Sequence, residues 1–156
     1  MRYPNLGEMM TIQAKRWKNK PLVYFEDKVY TYMQVEKMAN KAARMLKEKG
    51  LKKGDKVAVI MENSAHYIIS LVTIFKTGAI AIPVNNMLRE SEFAYILNDS
   101  YTKFVFLSEK YAEYASYLKD NVSSLEDVLS WEKINCNSIN VTEASAPFSD
   151  EPLEYN

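Results

Sequence analysis

Apolar positions along this chain alternate between helical and strand-like spacing. Leu6, Met10, Ala14 and Trp17 recur near one face and predict an amphipathic helix over residues 6–18. Pro21 opens the run Leu22-Val23-Tyr24-Phe25-Glu26, which reads as a strand. Asp27-Lys28 makes a tight turn, and Val29-Tyr30-Thr31 returns as the second arm of a hairpin. Thr31 and Gln34 match a capping box, in which hydroxyl and amide satisfy the free N–H groups of a helix start. The helix they open runs from Tyr32 to Lys49, with Val35, Met38, Ala39, Ala42 and Leu46 as its core stripe. Gly50 is placed to end it in the left-handed conformation.

Lys56 to Met61 is a β-branched, nearly continuous apolar run, the signature of a strand buried on both faces. Ser64 can cap a helix over Ala65–Thr77 that is apolar over most of its surface, and Gly78 ends it. Ala79 to Val84 is a second buried strand, with Pro83 near its end, where a lost ladder bond matters least. A short helix follows around Glu90–Leu97, with Phe93, Ile96 and Leu97 inward. Lys103–Leu107 is a third strand, and Ser108 opens a helix to about Lys119. The alternation implies an α/β class: a three-layer α/β/α arrangement with a mainly parallel sheet, plus the N-terminal hairpin. This body occupies 1–119. Beyond it, Ser124–Trp131 reads as a short helix, and 132–156, rich in Asn, Ser, Glu and Pro, as an extended linker. Residues 120–156 are therefore expected to form an acidic, linker-like tail.

Composition sharpens this division. Of 156 residues 47% are hydrophobic, enough for a folded core, and the formal net charge is zero. The tail holds eight acids and one base, Lys133, so it carries −7 and the body +7. Lys37, Lys41, Arg44 and Lys47 fall on one helix face, an ordinary solvated face. Without an aromatic-interleaved basic motif no nucleic-acid partner is expected. One cysteine and one histidine cannot make a structural zinc site or a disulfide framework. The most apolar window, Tyr67–Val84, contains Lys76, Gly78 and Pro83 and predicts a helix–strand pair, not a membrane span. No apolar stretch at the N-terminus makes a signal peptide, so a cytoplasmic location is expected and the Asn-x-Ser/Thr triplets at Asn98, Asn121 and Asn140 read as chance matches.

Candidate chemistry is sparse. Ligands of α/β sheets gather at the C-terminal strand ends, here Met61-Glu62-Asn63, Val84-Asn85-Asn86 and Leu107-Ser108-Glu109. None is glycine-rich. The four glycines have local uses: a loop at Gly7, helix ends at Gly50 and Gly78, a turn at Gly54. His66 is the one candidate imidazole. As a general base it needs a nucleophile and an orienting partner; Asn63 and Ser64 adjoin it, but Ser64 has a capping role, so a structural or surface histidine is expected. Cys136 has no basic neighbour and reads as an inert thiol. Nothing in the sequence brings the carboxylates Glu62 and Asp99 together. No residue is assigned a catalytic, cofactor-binding or metal role, and the substrate-binding residues are unknown.

The order of several segments resembles the N-terminal part of the adenylate-forming acyl-CoA synthetase (AMP-binding) superfamily. They are Lys20-Pro21-Leu22-Val23-Tyr24, Tyr30-Thr31-Tyr32, Leu51-Lys52-Lys53-Gly54-Asp55-Lys56-Val57-Ala58, Glu62-Asn63-Ser64, Lys76-Thr77-Gly78-Ala79, Pro83-Val84-Asn85 and Ala94-Tyr95-Ile96-Leu97-Asn98-Asp99-Ser100. Phe93–Ser100 and the strand after it look most like medium- and long-chain fatty-acid–CoA ligases. The resemblance implies the N-terminal subdomain of the large domain of a two-step ligase, which joins a fatty acid to AMP and then to CoA. ATP, Mg²⁺ and CoA are implied for the complete enzyme, with no cofactor held by this chain. The family's phosphate-loop motif normally begins soon after a segment like Asp150-Glu151-Pro152, so no family catalytic residue carries over, and this chain alone is expected to be inactive. The implied partner is the remainder of the ligase, in the same chain or separately encoded. Two departures stand out. Arg89-Glu90-Ser91 replaces a Thr-Pro-Glu-type helix start, and the family's strand after the helix near Tyr111–Lys119 is expected to be shortened or missing.

The alternative is a non-enzymatic α/β module that dimerises or pairs with another protein through a free sheet edge or an uncovered apolar helix. A small flavodoxin-like nucleotide-binding protein is a third reading.

Overall fold

The computed structural model describes residues 5–134 and 137–155. Helix α1 (Leu6–Trp17) leads into the hairpin of β1 (Pro21–Phe25) and β2 (Lys28–Thr31), then α2 (Tyr32–Glu48). Strand β3 (Lys56–Ile60), α3 (Ala65–Thr77), β4 (Ile80–Pro83), α4 (Glu90–Asp99) and β5 (Thr102–Leu107) follow. Next come a 3-10 turn at Glu109–Tyr111, α5 (Tyr114–Asn121), β6 (Asp127–Ser130), β7 (Ile139–Asn140) and α6 (Val141–Ser145).

Five strands pair in the order β4-β3-β5-β6-β7, every pair parallel, and the hairpin forms a separate antiparallel sheet. Alternate residues of each strand serve the two faces. Val57, Val59, Phe104, Phe106 and Leu129 pack with α2 and α3. Ala58, Ile60, Val105, Leu107 and Val128 pack with α4 and α5. Both faces are dry, which is why these strands are continuous apolar runs and not alternating ones. β4 is the edge. Its Ile80 N–H bonds Asp55 and its Val84 N–H bonds Val59, so strand alternation turns the N–H-less Pro83 nitrogen to the open side, where no ladder bond is lost.

The helix starts form as local sequence dictates. The Thr31 hydroxyl accepts from Gln34 N–H at 3.2 Å, while the Gln34 amide accepts from Thr31 N–H at 2.8 Å. Ser64 caps α3 by accepting from Tyr67 N–H at 3.1 Å. For α4, Glu92 accepts from Arg89 N–H at 2.8 Å, but no side-chain bond returns from Arg89, since a guanidinium has no acceptor. Gly50 and Gly78 have φ of +89° and +76°, the left-handed region that their helix ends require.

Several expectations are corrected. The buried stripe of α1 is Gly7, Thr11 and Ala14, while Leu6 is 56% exposed. Gly7 lies within α1, not in a loop. A Cβ there would meet the Lys76 Cα and N at 2.8 Å and the Phe75 carbonyl carbon at 2.9 Å. Small residues let α1 close on the α3 backbone. Gly7→Ala is therefore expected to lose about 1–2 kcal/mol, because a clash with backbone outweighs the helix-propensity gain of about 1 kcal/mol. A fall in the thermal unfolding midpoint measures this; a rise would mean that α1 can move away freely.

The helix expected to start at Ser108 is split into the 3-10 turn and α5. Ser108 supplies no side-chain cap, its hydroxyl donating instead to Glu62. The short helix expected over Ser124–Trp131 is strand β6, paired with β5 through Val105–Val128 and Phe106–Leu129. The strand expected to be shortened or missing is therefore not missing, and it is four residues long. Leu125, Val128 and Leu129 suit a helix locally, but the open edge of β5 offers ladder bonds and a dry face, and that non-local pairing prevails. The segment expected as linker contributes β7 and α6, with Val141 fully buried. Cys136 lies outside the described residues.

Candidate functional site

The chain order of the sheet reverses between β3 and β5, because β4 lies on one side of β3 and β5 on the other. Beyond the carboxyl ends of these strands lies a crevice of about 530 Å³, bordered by Glu26, Glu62, Glu109 and Glu132 with one base, Lys110. Such a switch point is where doubly wound sheets place ligands. Glu62 accepts from the Ser108 hydroxyl at 2.5 Å. Asn86, from the loop after β4, donates to Met61 O at 3.2 Å and accepts at its own carbonyl from the Tyr111 hydroxyl at 2.8 Å.

His66 sits in the first turn of α3. Its Nδ1 lies 3.5 Å from Glu132 Oε1, and its ring stacks on Trp131 with centroids 5.5 Å apart. Trp131 stacks in turn on Phe106 and donates to the Ser70 hydroxyl at 2.8 Å. The imidazole thus has a carboxylate beside it. The neighbouring hydroxyls are engaged: Ser64 caps α3 and Ser108 bonds Glu62. Glu62 and Asp99 are not brought together. Glu62 follows the carboxyl end of β3, and Asp99 ends α4 just before the amino end of the parallel β5. Among the described residues no group of three His, Cys, Asp or Glu side chains is arranged to hold a metal ion, and no helix is long and apolar enough to cross a membrane.

These residues do not fit a nucleoside triphosphate. Four carboxylates against one ammonium repel a polyphosphate, and the bordering residues include no glycine whose backbone could approach one. Sequence reading located the strand ends but not the carboxylate excess, since Glu26 and Glu132 reach the crevice from distant segments.

A second polar assembly lies behind α2, with no counterpart in the sequence reading. Lys76 of α3, its side chain wholly buried, places Nζ 2.8 Å from Glu36 Oε2 of α2. The Lys76 ammonium also donates to the Thr11 hydroxyl at 2.9 Å, and Thr11 donates to Glu36 Oε1 at 2.7 Å. Asn40 completes the group, donating to Glu36 Oε1 at 3.1 Å. Glu36 Oε2 has no aligned hydrogen bond, so its attraction to Lys76 is that of charge on charge.

The C-terminal segment closes over this assembly. Two of the four α2 bases expected on a solvated face meet the acidic tail: Lys37, itself still exposed, pairs with Asp150 at 3.1 Å, and Arg44 bonds main-chain carbonyls of the same segment, while Lys47 is exposed as expected. The Lys37 hydrogen bond and charge hold the Asp150 carboxyl below its ordinary pKa. The +7 and −7 halves of the chain are therefore in contact.

Residues 10–153 match the model of a family described as AMP-binding enzyme. The chain belongs to this family of adenylate-forming ligases. Its relatives differ in what they join. It is 34% identical over 106 residues to the fatty acid–[acyl-carrier-protein] ligase ScoC of Streptomyces coeruleorubidus, covering 68% of this chain and 20% of that protein. It is 32% identical over 113 residues to bacitracin synthase 3 of Bacillus licheniformis, covering 72% of this chain and 2% of that one. The solved N-terminal domain of FACL13 from Mycobacterium tuberculosis superposes with a TM-score of 0.84 at 26% identity, covering 98% of this chain and 38% of that domain. The α/β body is thus an AMP-binding fold, and the chain spans a small part of each of these relatives.

Proposed function

We propose that this chain is the scaffold portion of an ATP-dependent acyl-CoA ligase and does no adenylation alone. In the complete reaction a fatty-acid carboxylate attacks the α-phosphate of ATP and releases pyrophosphate. The CoA thiol then attacks the acyl-adenylate and AMP leaves. The first step brings anionic carboxylate to anionic triphosphate, so it demands cationic and N–H donors aimed at phosphate. The observation that carries the proposal is an AMP-binding match over 10–153 on a fold whose switch-point crevice is acidic. Phosphate binding, Mg²⁺ and CoA contacts then fall to other family segments, joined to this chain or separately encoded, in a cytoplasmic protein.

ATP–pyrophosphate exchange tests this directly. The purified chain with Mg²⁺ and octanoate, palmitate or an amino acid is expected to give no exchange above background. Supplying the remaining family segments in trans is expected to give exchange with the fatty acids. Exchange by the chain alone would overturn its scaffold role, and restored exchange with amino acids only would overturn the fatty-acid assignment.

The partner-binding module has one supporting feature, the open β4 edge with Ile80 48% exposed. Its other motive is gone, because α3 is covered by both α1 and α2, with Ile69 and Ile74 fully buried. Sedimentation of the chain distinguishes the two: concentration-dependent dimerisation favours the module.

A further inference from the structure

Residues 149–155 cross α2, and their docking uses main chain more than side chain. The Arg44 guanidinium donates to the carbonyls of Ser149 at 3.1 Å, Glu151 at 2.6 Å and Pro152 at 3.1 Å. Asn40, one helical turn earlier, donates to the Asp150 carbonyl at 2.8 Å. Two side chains spaced i, i+4 thus hold four consecutive carbonyls. The Asp150–Lys37 pair sits at the rim, both side chains partly exposed. Further on, Leu153 is buried, and the Tyr155 hydroxyl lies 3.2 Å from Lys76 Nζ.

This contact is hollow. Between the segment and the helices α1 and α2 lies a cavity of about 220 Å³, bordered by Thr11, Ala14, Met33, Asn40 and Pro152. Asn40 is fully buried, with both Nδ2 bonds made and no partner for Oδ1. Hydrogen bonds and one rim ion pair do most of the holding, with Leu153 as the apolar anchor. A segment held this way opens at lower free energy than a sheet packed on both faces.

We propose that residues 149–155 form a releasable strap, that Arg44 and Asn40 are its receptor, and that its release admits water to the Lys76–Glu36 pair. Because the receptor reads carbonyls, the strap's sequence matters mainly through its charge and through Leu153 and Tyr155. The proposal is independent of the ligase reading, since no catalytic step enters it.

Two readouts on the 156-residue chain test it together. Dilute thermolysin reports strap release by cleavage before Leu153, read by mass spectrometry. Acetylation by an N-hydroxysuccinimide ester, read on the Lys76 peptide, reports water access to the pair. Both are expected to be slow in the wild type. Arg44→Met is expected to raise both by at least about tenfold, the scale of losing one net charge-assisted hydrogen bond, with the urea midpoint of the core nearly unchanged. Lys28→Met, on the distant hairpin, is expected to change neither. Unchanged rates in Arg44→Met, cleavage that rises without Lys76 labelling, or rates that rise only with global unfolding would each overturn the proposal.

Discussion

Lys76→Met is expected to destabilise the domain by about 3–5 kcal/mol, the cost of removing one partner of a buried ion pair. The methionine keeps most of the volume, so the loss is electrostatic. Glu36 is 3% exposed and loses the cation that, among the described residues, faces its Oε2. The Thr11 hydroxyl and Asn40 amide still donate to Oε1 but carry no charge. The double variant Lys76→Met/Glu36→Leu is expected to recover most of the loss, because no charge is then left in the interior. Urea denaturation of the two variants measures both effects. A single-variant loss under about 1 kcal/mol would place the pair among solvent-exposed bridges instead. Against an ordinary domain stability of about 5–15 kcal/mol, the expected loss is a large fraction, and the single variant should show partial unfolding at modest temperature.

Trp131→Ala is the second large effect, about 3–5 kcal/mol, set by the cavity that a buried tryptophan leaves. Trp131 follows β6 directly and is 5% exposed. Its ring lies parallel to Phe106 of β5 at 6.0 Å and to His66 of α3 at 5.5 Å, and its N–H reaches Ser70 of α3. One side chain thus ties the carboxyl ends of β5 and β6 to the helix above them. Trp131→Phe keeps a stacking ring and loses the indole donor, so it is expected to cost clearly less. Thermal unfolding of the two variants checks the order; equal losses would assign the effect to the Ser70 hydrogen bond alone.

Loss of Trp131 is also expected to disturb the switch-point crevice, since it fixes the ring of His66 and precedes Glu132. The acidic character of that crevice is the physical reason for the scaffold role proposed for this chain. A crevice with four carboxylates presents the wrong sign to ATP, whatever its volume.

The legible and illegible parts of the fold differ in how far apart their causes lie. The α2 start was legible because Thr31 and Gln34 satisfy each other's N–H groups within one turn. The α3 start and end were legible through Ser64 and Gly78, and β3 and β5 through apolar runs that only a two-sided burial explains. The site was half legible: strand ends and His66 could be named, but its Glu132 partner lies 66 residues away, in a segment read as linker. Strand β6 was misread because Leu125, Val128 and Leu129 fit a helical period, and only the edge of β5 shows which period applies.

The sequence by itself determined the helices and strands of 5–107, their parallel α/β class and the family they belong to. Each rests on local caps, on apolar periodicity or on ordered short segments. Tertiary structure alone decided that the acidic tail is no linker. Its β6 completes a ladder started by β5, and its last residues lie under Arg44 and Asn40. Main-chain carbonyls are the same in every sequence, so nothing in the residues of 149–152 announces that two side chains of α2, more than a hundred positions earlier, will hold them.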